Sequence, residues 1–167
     1  GESIADTART LSRYVHAIVM RTFGQERVEE LARWASVPVI NALTDEGHPC
    51  QILADLMTVR EKRGSLKGMR CAWVGDGNNV ARSWAEAAAI LDFPLVIATP
   101  KGYEPPPEAV PGAVTLTNDP REAVRGADVV ITDVWASMGQ EAENEKRARD
   151  FAGWIVDPAL MAGAAPN

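Results

Sequence analysis

Met69-Arg70-Cys71-Ala72-Trp73-Val74-Gly75-Asp76-Gly77-Asn78-Asn79 reads as a strand that ends in a glycine-rich turn and passes straight into a helix. The run over 69–74 is almost entirely apolar and bounded by turn residues, the mark of a strand buried on both faces of a sheet. The alanine-rich segment over 80–91 supplies the helix. Further on, 95–98 is a second apolar strand and 128–134 a third with acidic ends. Asp119-Pro120 opens a helix that Gly126 stops. The proline-rich stretch 103–111 is a loop or short helix, 135–140 a loop, and 141–151 a charged helix.

The first half shows the same alternation. Ser3 with Asp6 three residues later is a capping pattern, and a helix follows to about residue 14. A short apolar strand covers 17–20. Val28, Leu31, Ala32 and Ala35 lie at helical spacing within 25–35. A strand covers 37–42, with Pro38 near its start. After the polar loop 44–49, Pro49 fits the first turn of a helix that closes on Arg63-Gly64. Strand and helix in alternation specify an α/β architecture of parallel sheets. The boundary falls at Arg63-Gly64-Ser65, giving two lobes, 1–64 and 65–167, joined by the helix that begins at Pro49.

The chain has 167 residues, 46% hydrophobic and 24% charged, a globular composition rather than a disordered one. Its 17 Lys+Arg against 23 Asp+Glu give a formal charge of −6, which argues against nucleic acid as a partner. No apolar run is long enough to span a bilayer, so no membrane partner is expected. Cys50 and Cys71 lie in separate elements without metal-ligand spacing, which supports neither a disulfide framework nor a metal site and fits a reduced, cytoplasmic setting. The chain lacks an initiator Met, starts in mid-pattern and ends with no obvious stop, as a piece of something longer would.

Several residues could carry chemistry. The turn 75–79 has Val80 where a dinucleotide fingerprint needs its third glycine, and the next strand offers no acid for a ribose. It is either a tight turn with a capping Asn or a site for a small polar ligand. His48-Pro49-Cys50-Gln51 places an imidazole and an amide at a helix N-terminus, suited to a polarised oxygen or an anion. The bland alternative is an exposed loop histidine and a solvated glutamine. Arg21 follows a strand directly, placed either to fork onto an anion or to form a surface salt bridge. Asp133, at the end of a strand and followed by Ser137-Met138-Gly139, suits an amino-acid head group, although Met138 could equally be a loop residue tucked into the core. The charges over 141–149 read as a solvated helix face.

Glu2-Ser3-Ile4-Ala5-Asp6-Thr7-Ala8-Arg9, Arg21-Thr22-Phe23, His48-Pro49-Cys50-Gln51 with Leu53-Ala54-Asp55, Gly75-Asp76-Gly77-Asn78-Asn79, and Asp133-Val134-Trp135-Ala136-Ser137-Met138-Gly139-Gln140-Glu141, in this order, resemble the ornithine carbamoyltransferases. Ser-Met-Gly is similar to the ornithine rather than the aspartate branch of the superfamily. The resemblance implies transfer of a carbamoyl group from carbamoyl phosphate to the δ-amine of L-ornithine, giving citrulline and phosphate in arginine metabolism, with no metal or organic cofactor. It implies that Arg21, His48 and Gln51 are catalytic and, with Pro49 and Cys50, contact carbamoyl phosphate. It places ornithine on Asn79, Asp133, Ser137 and Met138, and implies a homotrimer. Two family motifs, an upstream Ser-Thr-Arg-Thr and a downstream His-Cys-Leu-Pro, have no counterpart here. The resemblance therefore implies the middle of the enzyme, with both lobes incomplete and lobe surfaces uncovered. The alternatives are a non-catalytic amino-acid-binding fragment and a transcarbamylase for another amine.

Overall fold

A computed structural model describes residues 1–136 and 141–166. Helix α1 (Ile4–Leu11), strand β1 (Ile18–Arg21), helix α2 (Gln25–Trp34) and strand β2 (Val39–Leu43) form the first lobe. Its sheet is the parallel pair β1–β2, with Ile18 opposite Val39. Ala8, Ile18 and Leu31 make its core. The helix expected to reach residue 14 ends at Leu11, because the Ser12 hydroxyl turns back to donate to the Ala8 carbonyl at 2.7 Å and accepts the Ser36 N–H. A side chain that satisfies helix carbonyls in this way competes with the next turn.

Helix α3 (Pro49–Arg63) follows, with Pro49 in its first turn and Gly64 closing it at φ 77°, a left-handed conformation that glycine adopts without steric cost. The second lobe comprises β3 (Cys71–Val74), α4 (Asn79–Leu91), β4 (Leu95–Ala98), β5 (Val114–Thr117), α5 (Pro120–Val124), β6 (Val129–Ile131), α6 (Asn144–Asp150) and α7 (Pro158–Met161), with 3-10 turns at Pro107–Ala109 and Glu141–Glu143. Its four strands are all parallel, in the order β5-β4-β3-β6. All four residues of β3 are buried, because helices cover both faces. Ile52 and Leu56 of α3 pack with Trp84, Ala85 and Ala88 of α4 on one face. Ala123 and Val124 of α5, with Leu160 of α7, cover the other. The linking helix thus contributes its apolar stripe, Ile52, Leu56 and Val59, to the second lobe's core.

Three further details depart from the sequence reading. Strand β5 and helix α7 are additional elements. The strand expected over 128–134 is shorter, which leaves Asp133 beyond the end of β6 rather than within it. The charged helix is not solvated throughout. Arg147 is 6% exposed and donates to Asp76 Oδ2 at 2.7 Å, to the Trp135 carbonyl at 2.8 Å and to Glu143 at 3.0 Å. Asp76 is 7% exposed, and an ionised carboxylate at that depth requires a charged partner. No helix among the described residues is long and apolar enough to cross a membrane.

Candidate functional site

The carboxyl ends of β1, β2, β3 and β6 face a cleft of about 960 Å³ between the lobes. Ligands of open α/β sheets bind at this end, where strands stop and helices start. The first lobe and α3 bring Arg21, His48, Gln51 and Asp55 to the cleft; the second lobe brings Asn78, Asn79 and Asp133. Five of the residues singled out from sequence therefore meet: Arg21, His48, Gln51, Asn79 and Asp133. Pro49 and Cys50 are not among the residues that line the cleft. Pro49 begins α3, and the Cys50 thiol donates to the Asn41 carbonyl. Ser137 and Met138 lie outside the described residues.

His48 is the N-cap residue of α3, but its side chain does not cap the helix. Its backbone N–H donates to Ser83 Oγ at 2.8 Å, and its carbonyl accepts from the Gln51 N–H at 3.0 Å. The imidazole Nδ1 is buried without a hydrogen-bond partner among the described residues. Burial holds the His48 pKa below its ordinary value, and the Arg21 cation pushes it the same way; Asp133 and Asp55 pull weakly in the opposite direction. The ring is therefore neutral at pH 7 and can donate a proton to a hydrogen bond without carrying charge. In the folded protein, its C2–H resonance is expected to titrate below 6.5. Below 6.5 an unfolded chain takes up a proton that the folded ring refuses. The imidazole's contribution to stability is thus full above 6.5 and declines as pH falls through the window beneath it. A midpoint at or above 6.5 would contradict this electrostatic picture.

Gln51 donates its amide to Asp55 Oδ1 at 2.7 Å. A carboxylate only accepts, so this bond orients the amide and leaves the Gln51 carbonyl oxygen as the end that can accept from a ligand N–H. Asp55 lies one helical turn beyond Gln51, on the same face of α3.

The adjacent asparagines divide their work. Asn78 is the N-cap of α4, its Oδ1 accepting from the Val80 and Ala81 N–H groups, while its Nδ2 donates to Asp133 Oδ2 at 3.0 Å. Asn79 instead points to the first lobe and donates to the Thr44 carbonyl at 2.7 Å. Asn78 is the residue in direct contact with Asp133, and its signal in the sequence was its position as a capping residue. Because its side chain occupies the first amides of α4, those amides are not presented to a pyrophosphate, in keeping with the missing third glycine. Gly77 serves a packing purpose: a Cβ there would overlap the backbone at Tyr103 and Pro105. Among the described residues, no group of three or more His, Cys, Asp and Glu side chains gathers as metal ligands would.

Among the described residues, this arrangement places the Arg21 cation, the neutral His48 donor and the Gln51 amide, with the carboxylates of Asp45 and Asp55, on one wall and the Asp133 carboxylate on the other. It suits an anionic substrate with a polarisable oxygen beside a cationic one.

Comparison with known proteins identifies the family. Residues 1–61 match the profile of the aspartate/ornithine carbamoyltransferase carbamoyl-P binding domain, and residues 67–167 that of the Asp/Orn binding domain. Ornithine carbamoyltransferases of Pelobacter propionicus and Geobacter sulfurreducens are 58% and 56% identical, each over 100% of this chain and 57% of their own length. The chain thus spans little more than half the length of these curated relatives. The solved ornithine carbamoyltransferase of Pyrococcus furiosus is 50% identical with a TM-score of 0.92, over 99% of this chain and 56% of its own. That of Thermus thermophilus is 47% identical with a TM-score of 0.90, over 99% and 55%. The two profiles cover nearly the whole chain in their proper order, and the solved relatives share its fold, so this chain belongs to the aspartate/ornithine carbamoyltransferase family.

Proposed function

We propose that the protein carrying this chain is an ornithine carbamoyltransferase, with residues 1–64 holding carbamoyl phosphate and residues 65–167 holding ornithine. The observation that carries the reading is the convergence of Arg21, His48 and Gln51 from one side of the cleft on Asp133 from the other. Arg21 meets the phosphate charge and His48 donates to the carbonyl oxygen. Gln51, its amide oriented by Asp55, accepts from the carbamoyl NH2. Asp133, steadied by Asn78, takes the amino-acid ammonium, with Asn79 and the Ser137–Met138 stretch completing the head-group site. The unprotonated δ-amine then attacks the carbonyl carbon. A C–N bond forms, the C–O bond to phosphate breaks with its electron pair leaving on the phosphate oxygen, and the proton lost by the amine passes to the departing phosphate. Charge builds on the carbonyl oxygen at the atom His48 faces, so its hydrogen bond strengthens in the transition state. Much of the remaining acceleration comes from holding amine and carbonyl together. No resident cofactor takes part. A cytoplasmic homotrimer is the assembly this reading entails.

The test is citrulline formation by the full-length protein, supplied with carbamoyl phosphate and either L-ornithine or L-aspartate. Citrulline from ornithine and no carbamoyl-aspartate is the expected result. Carbamoylation of aspartate, or of another amine in preference to ornithine, would overturn the assignment; binding of ornithine with no transfer would favour a non-catalytic module.

A further inference from the structure

Helix α4 presents an almost wholly apolar face to the core: Val80, Ala81, Trp84, Ala85, Ala87 and Ala88 are buried. Ser83 sits among them, 5% exposed, and a hydroxyl at such a place needs a partner. Its partner is not in its own lobe. Ser83 Oγ accepts the backbone N–H of His48 at 2.8 Å, across 35 residues of sequence and from one lobe to the other. Gly47 lets this happen: even a Cβ at that position would stand 3.2 Å from Ser83 Oγ.

The consequence lies in how His48 is held. Its carbonyl is fixed by α3 through the Gln51 N–H, Pro49 follows with no N–H of its own, and its φ of −135° and ψ of 64° lie outside the helical region. The imidazole has no hydrogen bond of its own at Nδ1 among the described residues. The direction of the ring therefore depends on the backbone at residue 48, and that backbone is tied on its N-terminal side to α4. The same helix holds the preceding turn, since Asn79 Nδ2 donates to the Thr44 carbonyl and the Thr44 N–H donates to Gly47 O at 2.8 Å.

We propose that Ser83 is a positioning residue for His48, by which the ornithine-side helix sets the direction of the imidazole on the carbamoyl side. The proposal rests on the carbamoyl-transfer reading and adds to it a mechanical link between the two half-sites. Misplacing a reacting group by about 1 Å costs on the order of 100-fold in rate. Ser83→Ala, which shrinks a buried side chain by one atom, is expected to keep the fold.

In the full-length protein, Ser83→Ala should lower kcat about 10- to 100-fold while leaving the KM for ornithine nearly unchanged. Arg82→Ala, which removes only the neighbouring contact between the lobes from Arg82 to Glu46, should retain its turnover. The His48 C2–H titration gives a second readout that does not need activity. With the turn released, the ring regains water while Arg21, Asp55 and Asp133 remain around it, so its midpoint should move up toward 6.5. Full turnover in Ser83→Ala would overturn the proposal. So would a loss matched by Arg82→Ala, which would mean simple adhesion of the lobes, or a rise in ornithine KM that accounts for the whole effect. If the unsubstituted protein makes no citrulline, the carbamoyl-transfer reading fails, and the titration alone decides Ser83: a moved midpoint supports the link and an unmoved one ends it.

Discussion

His48→Ala is expected to lower turnover by about 100- to 1,000-fold in the full-length protein, the cost of removing one donor aimed at a developing oxyanion. Ground-state binding should change little. The carbonyl oxygen gains its charge only in the transition state, so the lost interaction appears in kcat rather than in KM. The fold should survive, because the imidazole neither caps α3 nor makes a hydrogen bond through Nδ1 among the described residues. The bond that anchors residue 48 to α4 comes from its backbone N–H, which alanine keeps. Steady-state kinetics with a thermal unfolding scan checks both parts. Turnover close to that of the unsubstituted protein would remove the imidazole from the mechanism.

Arg147→Met is expected to have the largest effect on stability. It strips the charged partner from Asp76 at a place where both side chains are 8% exposed. Leaving one member of a buried ion pair uncompensated costs about 3–5 kcal/mol, against a total of roughly 5–15 kcal/mol for a typical domain. Burial already raises the Asp76 pKa above 3.8, and Arg147 offsets part of that rise through its charge and its hydrogen bond. Without Arg147 the carboxyl rises further. Above 3.8 the unfolded chain has released this proton while the folded variant still holds it, so stability falls as pH rises. The deficit of Arg147→Met should therefore be smallest in acid and grow toward neutrality. Asp76→Asn placed on the same background should recover part of it, because an amide cannot ionise. Urea unfolding at several pH values gives the comparison. A deficit independent of pH would refute the account.

The same pair shows where local pattern stops being informative. In sequence, Arg147 stands in a helix crowded with charge and reads as solvated. It is drawn inward by Asp76, which lies 71 residues away. Asp76 in turn belongs to the turn that leads into α4, and its carbonyl accepts the Trp73 indole N–H at 2.9 Å. A stability defect at Arg147 should thus be felt at the start of α4, near Asn78.

Much of the architecture was written in short stretches. The apolar run ending at Val74, Pro49 with Gly64 around α3, and Asp119-Pro120 before α5 each carry their signal within a few residues, because buried strands, helix starts and helix stops are set by local backbone chemistry. Strand β5 escaped because Val114-Thr115-Leu116-Thr117 is short, sits at the sheet edge with its middle residues exposed, and follows a proline-rich stretch. Its β-branched residues were the signal. Helix α7 carried an Asp157-Pro158 start like the one read before α5, with Asp157 Oδ1 accepting the Leu160 N–H at 2.8 Å.

For the site, residue types were legible and pairings were not. The motifs marked Arg21, His48, Gln51, Asn79 and Asp133, and the cleft unites them. Choosing Asn78 as the direct partner of Asp133 required knowing where α4 begins, since successive helical side chains point about 100° apart. Gln51 and Asp55 could be paired from helical spacing alone, as residues four apart share a face. Ser83 with His48, and Asn79 with Thr44, could not. Alternation and caps are fixed by local backbone chemistry, so two parallel α/β lobes and a candidate set of groups could be read from short stretches of residues. Which side chain holds which across 35 residues follows from how α3 and α4 pack between the lobes, a long-range arrangement that no local pattern encodes.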